Sequence, residues 1–349
     1  MHGFSKGRTF IGESHPRHSD GTRMNDTTQF RRQALTSRRM VLLAAASLPS
    51  LGIKALQANA TFTKIAKAVW VWKDRILAPD DLASFCERYQ IGVLFLYLTP
   101  QAGESLLSGA DNARKTTASL RTGGRRVYAC VGEPDWVLEP LRLPDHLGLA
   151  ARAVSAGLFD GLHLDVEPHA LRAWHDPSSR GPLLKGTVEL LALVRSTLPD
   201  AAIDAAVNPA FAVEPYRGET FLTALTRHVT SISIMSYRDD VLKTISQAMP
   251  SIRQISRLRR RWRLGVLVDP NPDEPGTSWS NRSIADFDSA MDDFDAILRS
   301  QFSALGYSGL AFEGYDGLKL IEQKQSTVVP RNESQPSCCS ANPRRKCST

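Results

Sequence analysis

Residues 159–169 read FDGLHLDVEPH and alternate between apolar and ionisable side chains. Because successive side chains of a β-strand point to opposite faces, the segment predicts a strand with one apolar and one ionisable face. The two faces carry Leu162, Leu164 and Val166, and His163, Asp165 and Glu167, respectively. Such a strand fits a sheet that helices cover on one side and that opens on a functional site on the other. Pro168 ends the strand directly after Glu167. The alternative is an edge strand with a solvated polar face.

Eight strand-like segments alternate with helical segments along the chain. They are residues 68–72, 91–98, 126–132, 161–167, 203–207, 231–235, 264–268 and 309–312. Alternation of this kind predicts a parallel sheet covered by helices. Eight strands in roughly 260 residues predict an α/β fold with a single (β/α)8 TIM barrel. The alternative, a doubly wound open sheet, requires a glycine-rich phosphate loop after the first strand, and Trp72-Lys73-Asp74 does not provide one.

The two ends of the chain differ from its centre. We expect residues 1–60 to be a leader, residues 61–321 to form the barrel, and residues 322–349 to be a disordered basic tail that contains cysteines. In the leader, Arg38-Arg39 precedes an apolar run and then Ala58-Asn59-Ala60, which resembles a bacterial twin-arginine export signal with a cleavage site. A membrane anchor and a chance arginine pair are the alternatives, and Met24 is a second candidate start. The expected location is periplasmic or secreted, with the export machinery as a partner and no stable membrane insertion.

The net charge of +7 is concentrated in these ends, which carry +6 and +3, so the intervening residues are close to neutral at −2. A near-neutral centre argues against a nucleic-acid-binding surface. The run Arg257–Arg263 is interpreted as the C-terminal end of a helix, where cations interact favourably with the helix dipole. Cys86 and Cys130 are expected to pack as small apolar residues. No motif indicates a cofactor or a metal ion.

In a barrel the active site lies at the C-terminal ends of the strands. Carboxylates, aromatic rings and amides occur there in this sequence, a composition typical of a site for sugar rings. Besides the ionisable strand face, these candidates are Trp72, Trp136, Trp174, Asn208, Met235, Tyr237, Arg238, Asp269 and Glu313. Each tryptophan, taken alone, could equally be a core residue. We therefore predict a polysaccharide or oligosaccharide as substrate.

Two segments carry a resemblance to a known family. Residues 160–167, DGLHLDVE, resemble the strand-4 signature Asp-Gly-x-Asp-x-Asp-x-Glu of glycoside hydrolase family 18, the chitinase-like barrels, and Met235-Ser236-Tyr237 resembles its Met-x-Tyr motif. The resemblance implies a divergent branch of that family, with Glu167 as the general acid. It implies that Asp165 orients a substrate N-acetyl group and that Tyr237 hydrogen-bonds the acetamide. Asp160, His163 and Met235 would lie on the substrate side of the site.

The sequence departs from the family at two positions. His163 stands where the family has its middle Asp, and Pro168 stands where it has a tryptophan. We expect the His163 imidazole to donate a hydrogen bond to Asp165 and to keep that carboxylate ionised.

Three further hypotheses use the same residues. Glu313 or Asp269 could act as the nucleophile of a two-carboxylate glycosidase with Glu167 as acid and base. The barrel could bind carbohydrate without catalysis. Finally, His163, Asp165, Glu167 and His169 could ligate a metal ion in a metal-dependent phosphodiester hydrolase.

Overall fold

In the computed structural model the described residues are 66–72, 79–109 and 111–326. Eight parallel strands close into a barrel, and each strand pairs with the strands before and after it in the chain. The strands are β1 Lys67–Val71, β2 Ile91–Tyr97, β3 Arg126–Val131, β4 Gly161–Leu164, β5 Ala202–Val207, β6 Ser231–Ile234, β7 Arg261–Leu267 and β8 Tyr307–Glu313. The predicted (β/α)8 barrel is confirmed.

Helices surround the barrel between the strands. They are α1 Pro79–Arg88, α2 Pro100–Leu107, α3 Asp111–Arg121, α4 Asp145–Ser155, α5 Pro177–Thr197, α6 Phe221–Thr226, α7 Val241–Arg257, α8 Ile284–Phe302 and α9 Tyr315–Ser326. The sequence reasoning missed α2, although Thr99-Pro100 marks its start. The Thr99 hydroxyl accepts a hydrogen bond from the backbone N–H of Ala102 at 3.1 Å, and Pro100 occupies the first turn, where no N–H donor is needed.

The apolar side chains form two cores. The outer core lies between the strands and the helices and contains Leu162, Leu164 and Val166. The smaller inner core fills the barrel and contains Trp70, Phe95 and Tyr128. The alternation read from residues 159–169 therefore separates the two cores, as the sequence predicts.

Three boundaries differ from the sequence interpretation. Strand β4 ends at Leu164 instead of continuing to Glu167. The arginine run is not all helical, because β7 begins at Arg261. Helix α9 continues to Ser326, so the barrel extends beyond the expected boundary at residue 321. The predicted leader and the remainder of the predicted tail lie outside the described residues.

Among the residues described, no helix is long and apolar enough to cross a membrane.

Candidate active site

Asp165 and Glu167 lie just beyond the end of β4, and each side chain is only 6% exposed. Val166 between them packs in the outer core, so the strand alternation continues past the last ladder bond and directs both carboxylates inward. The backbone is closely packed here: the N–H of Asp165 donates to the carbonyl of Val131 at 3.0 Å. A Cβ atom at Gly132 would lie 2.1 Å from the carbonyl oxygen of Asp165. Only glycine at position 132 permits this approach.

A second carboxylate reaches the same end of the barrel from β8. Glu313 is the last residue of β8 and is largely buried. The Tyr237 hydroxyl, beyond the end of β6, donates a hydrogen bond to Glu313 Oε2. This bond joins two residues that the sequence nominated independently, and it shows that Glu313 faces the barrel interior. The two-carboxylate hypothesis through Glu313 therefore stays open.

His163 is fully buried inside the barrel, below the two carboxylates of β4. The indole N–H of Trp70 donates to His163 Nε2 at 2.8 Å, and His163 Nδ1 lies 2.9 Å from Asp204 Oδ1. An indole nitrogen can only donate, so Nε2 has to accept and the ring proton is on Nδ1, where it donates to Asp204. The Phe95 ring stacks on the imidazole at 3.8 Å between centroids. The expectation that His163 donates to Asp165 is wrong, because both ring nitrogens are already engaged.

Asp204, on β5, is the centre of a buried polar network that the sequence reasoning missed. Besides His163, the hydroxyls of Ser233 (2.8 Å) and Ser231 donate to its carboxylate, and Arg263 Nη1 lies 3.7 Å away. Burial alone would raise the pKa of Asp204, but the hydrogen bond from His163, the charge of Arg263 and the hydrogen bond from Ser231 lower it overall. A signal was present, since Asp204 interrupts the otherwise apolar strand 202–207 at an inward position.

Asp160 does not fit the expected substrate contact. It precedes β4 and therefore lies at the N-terminal end of the barrel, opposite the mouth. Its carboxylate accepts from Arg121 at 2.6 Å and from the backbone N–H of Val127 at 2.8 Å. These contacts connect the start of β3 to α3 and to the loop before β4, so Asp160 has a structural role.

The three tryptophans nominated as sugar platforms occupy different surroundings. Trp72 follows β1, is partly exposed, and packs against the inner core beside the Tyr97 ring at 6.1 Å. Trp136 and Trp174 instead pack partly buried against the outer core. The Arg180 guanidinium covers the Trp174 ring at 5.3 Å. Only Trp72 therefore borders the barrel interior.

The remaining nominated residues occupy varied positions, and the N–H of Asp269 donates to the carbonyl of Glu313 at 3.3 Å. Met235 is buried in the inner core. The Asn208 side-chain oxygen accepts from the N–H of Ala210 at 2.9 Å and caps a short turn. Arg238 Nη1 donates to the carbonyl of Tyr237 at 2.7 Å. Asp269 packs against the start of α9, where a Cβ atom at Gly314 would lie 2.0 Å from its Oδ1.

Within the part of the chain that the structure describes, no group of three or more His, Cys, Asp or Glu side chains is arranged to hold a metal ion. In the metal hypothesis His163 would ligate together with Asp165, Glu167 and His169. In the structure both ring nitrogens of His163 are used by Trp70 and Asp204.

No family model matches the chain, and no curated protein matches it in sequence. Similar solved structures are barrels of low identity. Catalytic domain 2 of the group II chitinase of Ostrinia furnacalis is 16% identical with a TM-score of 0.39, and the match covers 58% of this chain and 64% of that one. The chain thus spans less than two thirds of that catalytic domain. A GH18 chitinase from Cycas revoluta in complex with (GlcNAc)3 is 12% identical with a TM-score of 0.39, covering 75% and 99%.

A Toxoplasma gondii protein assigned as a deoxyribose-phosphate aldolase is 10% identical with a TM-score of 0.46, covering 76% and 95%. The likeness is one of fold. Chitinases and an aldolase are matched at comparable levels, so the similarity does not select an activity.

Proposed function

We propose that the protein is a glycoside hydrolase-like barrel that cleaves a glycosidic bond in a polysaccharide, with Glu167 as the general acid. One observation carries the proposal: two nearly enclosed carboxylates follow β4 at the same end of the barrel as the Tyr237–Glu313 hydrogen bond. Carboxyl groups in such a mouth are the groups that glycosidic bond cleavage needs. The sequence signature of residues 160–167 and of Met235-Ser236-Tyr237 supports the same reaction class.

In the proposed reaction the protonated Glu167 gives its proton to the glycosidic oxygen as the bond from that oxygen to the anomeric carbon breaks. The positive charge that develops on the sugar is compensated by Asp165, either directly or by orienting an N-acetyl group that attacks the anomeric carbon. Water then adds to the anomeric carbon and returns a proton to Glu167. Tyr237 would position the substrate and exchange its hydrogen bond with Glu313 for one with the sugar.

Glu167→Gln tests this role, because glutamine keeps the shape but cannot deliver the proton. We expect the turnover of any cleaved glycan, assayed on a panel that includes chitooligosaccharides, to fall by about 10²–10⁴-fold while glycan binding persists. Glu189→Gln, at a partly exposed position of α5 away from the mouth residues, is the matched control. Full turnover by Glu167→Gln would exclude the proposed acid.

A carbohydrate-binding barrel without catalysis is the second candidate, and the His163 network favours it. In the family signature an Asp stands beside the Asp165 position, whereas here the corresponding imidazole is committed to Asp204 and Trp70. Binding of a glycan by calorimetry without cleavage of any member of the panel by the parent protein would select this candidate.

A role of Glu313 as the nucleophile predicts a separate experimental result. If it attacks the anomeric carbon, Glu313→Ala should lose turnover and recover it with azide, giving a glycosyl azide. Without a glycosyl azide product, Glu313 is left with the role of holding Tyr237.

The proposal includes export to the periplasm or the medium, based on the sequence of residues 36–60. Replacing Arg38-Arg39 by Lys-Lys should retain the protein in the cytoplasm of a bacterial host, as measured by fractionation. Unchanged export would contradict a twin-arginine route.

A further inference from the structure

The N-terminal end of the barrel, opposite the proposed active site, carries inward-facing arginines. Arg261 and Arg263 lie on β7 in register with Ser231 and Ser233 of β6. Both serine hydroxyls donate inward to Asp204, and side chains at paired positions of a sheet share a face. Arg261 and Arg263 therefore also point into the barrel.

Arg126 joins them from β3. It shares the strand face of Tyr128, which belongs to the inner core. Arg126 Nη1 lies 3.4 Å from the Tyr128 hydroxyl, and its guanidinium lies 5.9 Å from the centre of the Tyr128 ring. Burial raises the pKa of Tyr128, whereas the charges of Arg126, Arg263 and Arg261 act to lower it, so all three guanidinium groups lie near this phenol.

The side chain of Arg263 has a hydrogen-bond donor that lacks an acceptor among the described residues. Its residue is 4% exposed, and its nearest anionic atom, Asp204 Oδ2, is 3.7 Å away, beyond hydrogen-bond distance. The Asp204 oxygens are already used by His163, Ser231 and Ser233. Arg263 Nε is buried and has no hydrogen-bond acceptor among the described residues. A buried charged donor without an acceptor is costly.

The charges of Arg126 and Arg261 make the binding of an anion at this end of the barrel more favourable. Burial lowers the pKa of Arg261, and the like charge of Arg126 lowers it further. Burial likewise lowers the pKa of Arg263, against the attraction of Asp204. Among the described residues, Asp204 is the carboxylate that offsets the charge of Arg263, and Arg126 and Arg261 form no ion pair there. The neighbouring Arg125, by contrast, has an acceptor for its Nε, which donates to the carbonyl of Leu120 at 2.8 Å.

We propose that Arg126, Arg261 and Arg263 form an anion-binding site for a phosphate or sulfate group at the N-terminal end of the barrel. A guanidinium presents paired N–H donors that match two oxygens of such a group. The bound anion would accept from Arg263 Nε and reduce the repulsion between Arg126 and Arg261. The site is independent of the glycosidase proposal, because it involves none of the residues at the mouth.

The experiment measures the melting temperature of the purified protein against inorganic phosphate, with ionic strength held constant by sodium chloride, and the dissociation constant by calorimetry. We expect a saturable rise in melting temperature that chloride alone does not give. Parallel titrations with sulfate and a hexose 6-phosphate separate a free anion from a phosphate ester: equal affinities assign the free anion, and tighter binding of the hexose phosphate assigns the ester.

Arg126→Gln and Arg261→Gln remove partly exposed members of the site without touching the Asp204–Arg263 pair. Each should weaken phosphate binding by about tenfold or more, the value of one charge-assisted hydrogen bond. Arg253→Gln, at an exposed position of α7, makes the same charge change elsewhere and should leave affinity unchanged. The proposal is overturned if no oxyanion binds saturably, or if all three variants bind alike.

Discussion

Asp204→Asn is the most informative single perturbation of the barrel interior. The substitution keeps the volume of the side chain, removes its charge and replaces one acceptor oxygen by an NH₂ donor. In the native protein that carboxylate accepts from His163, Ser231 and Ser233, and it is the anion nearest to Arg263. After substitution, the buried guanidinium loses its counter-charge.

The expected cost follows from these contacts. Removing one partner of a buried ion pair costs about 3–5 kcal/mol, because an uncompensated charge stays buried. Replacing a charged acceptor by a neutral one weakens each remaining hydrogen bond by about 1 kcal/mol, whereas the Asp204–Arg263 separation of 3.7 Å reduces the ion-pair part. We therefore expect the free energy of unfolding to fall by about 3–5 kcal/mol. For a domain stable by about 5–15 kcal/mol, a loss of this size removes between about a fifth and all of the stability.

Urea unfolding, followed by tryptophan fluorescence and far-UV circular dichroism, measures this difference. Asp293→Asn, at an exposed position of α8, is the control and should change stability by less than about 0.5 kcal/mol. A double-mutant cycle with Arg263→Met should give a coupling energy above about 1 kcal/mol. A loss below about 1 kcal/mol together with no coupling would refute the view that Asp204 organises the interior.

The same variant has a defined pH dependence. Because the folded-state pKa of Asp204 is lowered, its stabilising contribution is complete above the unfolded value of about 3.9 and is lost as the pH falls through the folded value. The stability gap between the parent protein and Asp204→Asn should therefore be constant near neutrality and should narrow below about pH 4. A gap that does not change on acidification would contradict the assignment of an ionised Asp204.

Two further outcomes are expected. Gly132→Ala should lower the free energy of unfolding by about 1–3 kcal/mol and reduce any glycosidase activity, because its Cβ would lie 2.1 Å from the Asp165 carbonyl oxygen. Gly181→Ala, in open space on α5, is the control. Equal effects at both sites would contradict the close approach. Burial raises the pKa of the Cys86 thiol to about 12, so iodoacetamide at pH 8 should alkylate Cys86 only in denaturant. Peptide mass spectrometry measures the labelling. Rapid labelling of the native protein would contradict the burial of Cys86.

Local patterns made much of the fold predictable. The alternation of residues 159–169 is a property of one strand, so it identified the outward and inward faces of β4 correctly. The number of strands followed in the same way from their apolar segments. The partner of His163 could not be read in this manner, because it depends on the register in which β4 pairs with β5, where His163 lies opposite Asp204.

The run Arg257–Arg263 shows a second reason why the sequence interpretation differed from the structure. Its charges predict the end of a helix, whereas the period-2 alternation of Arg261 and Arg263 with Trp262 and Leu264 indicates a strand. Trp262 and Leu264 are fully buried in the outer core, and their burial determines that this segment is a strand. Charge alone does not distinguish the two structures; the spacing of the apolar residues does.

The inward-facing ionisable groups of the barrel change in type along its axis, although Asp204 lies beside the arginines. Asp165, Glu167 and Glu313 lie at the C-terminal end, and Arg126 and Arg261 lie at the other end. The length of the barrel strands separates the acidic groups of the mouth from these arginines. Acidic side chains at the mouth disfavour an anionic ligand there, whereas the arginine end favours one.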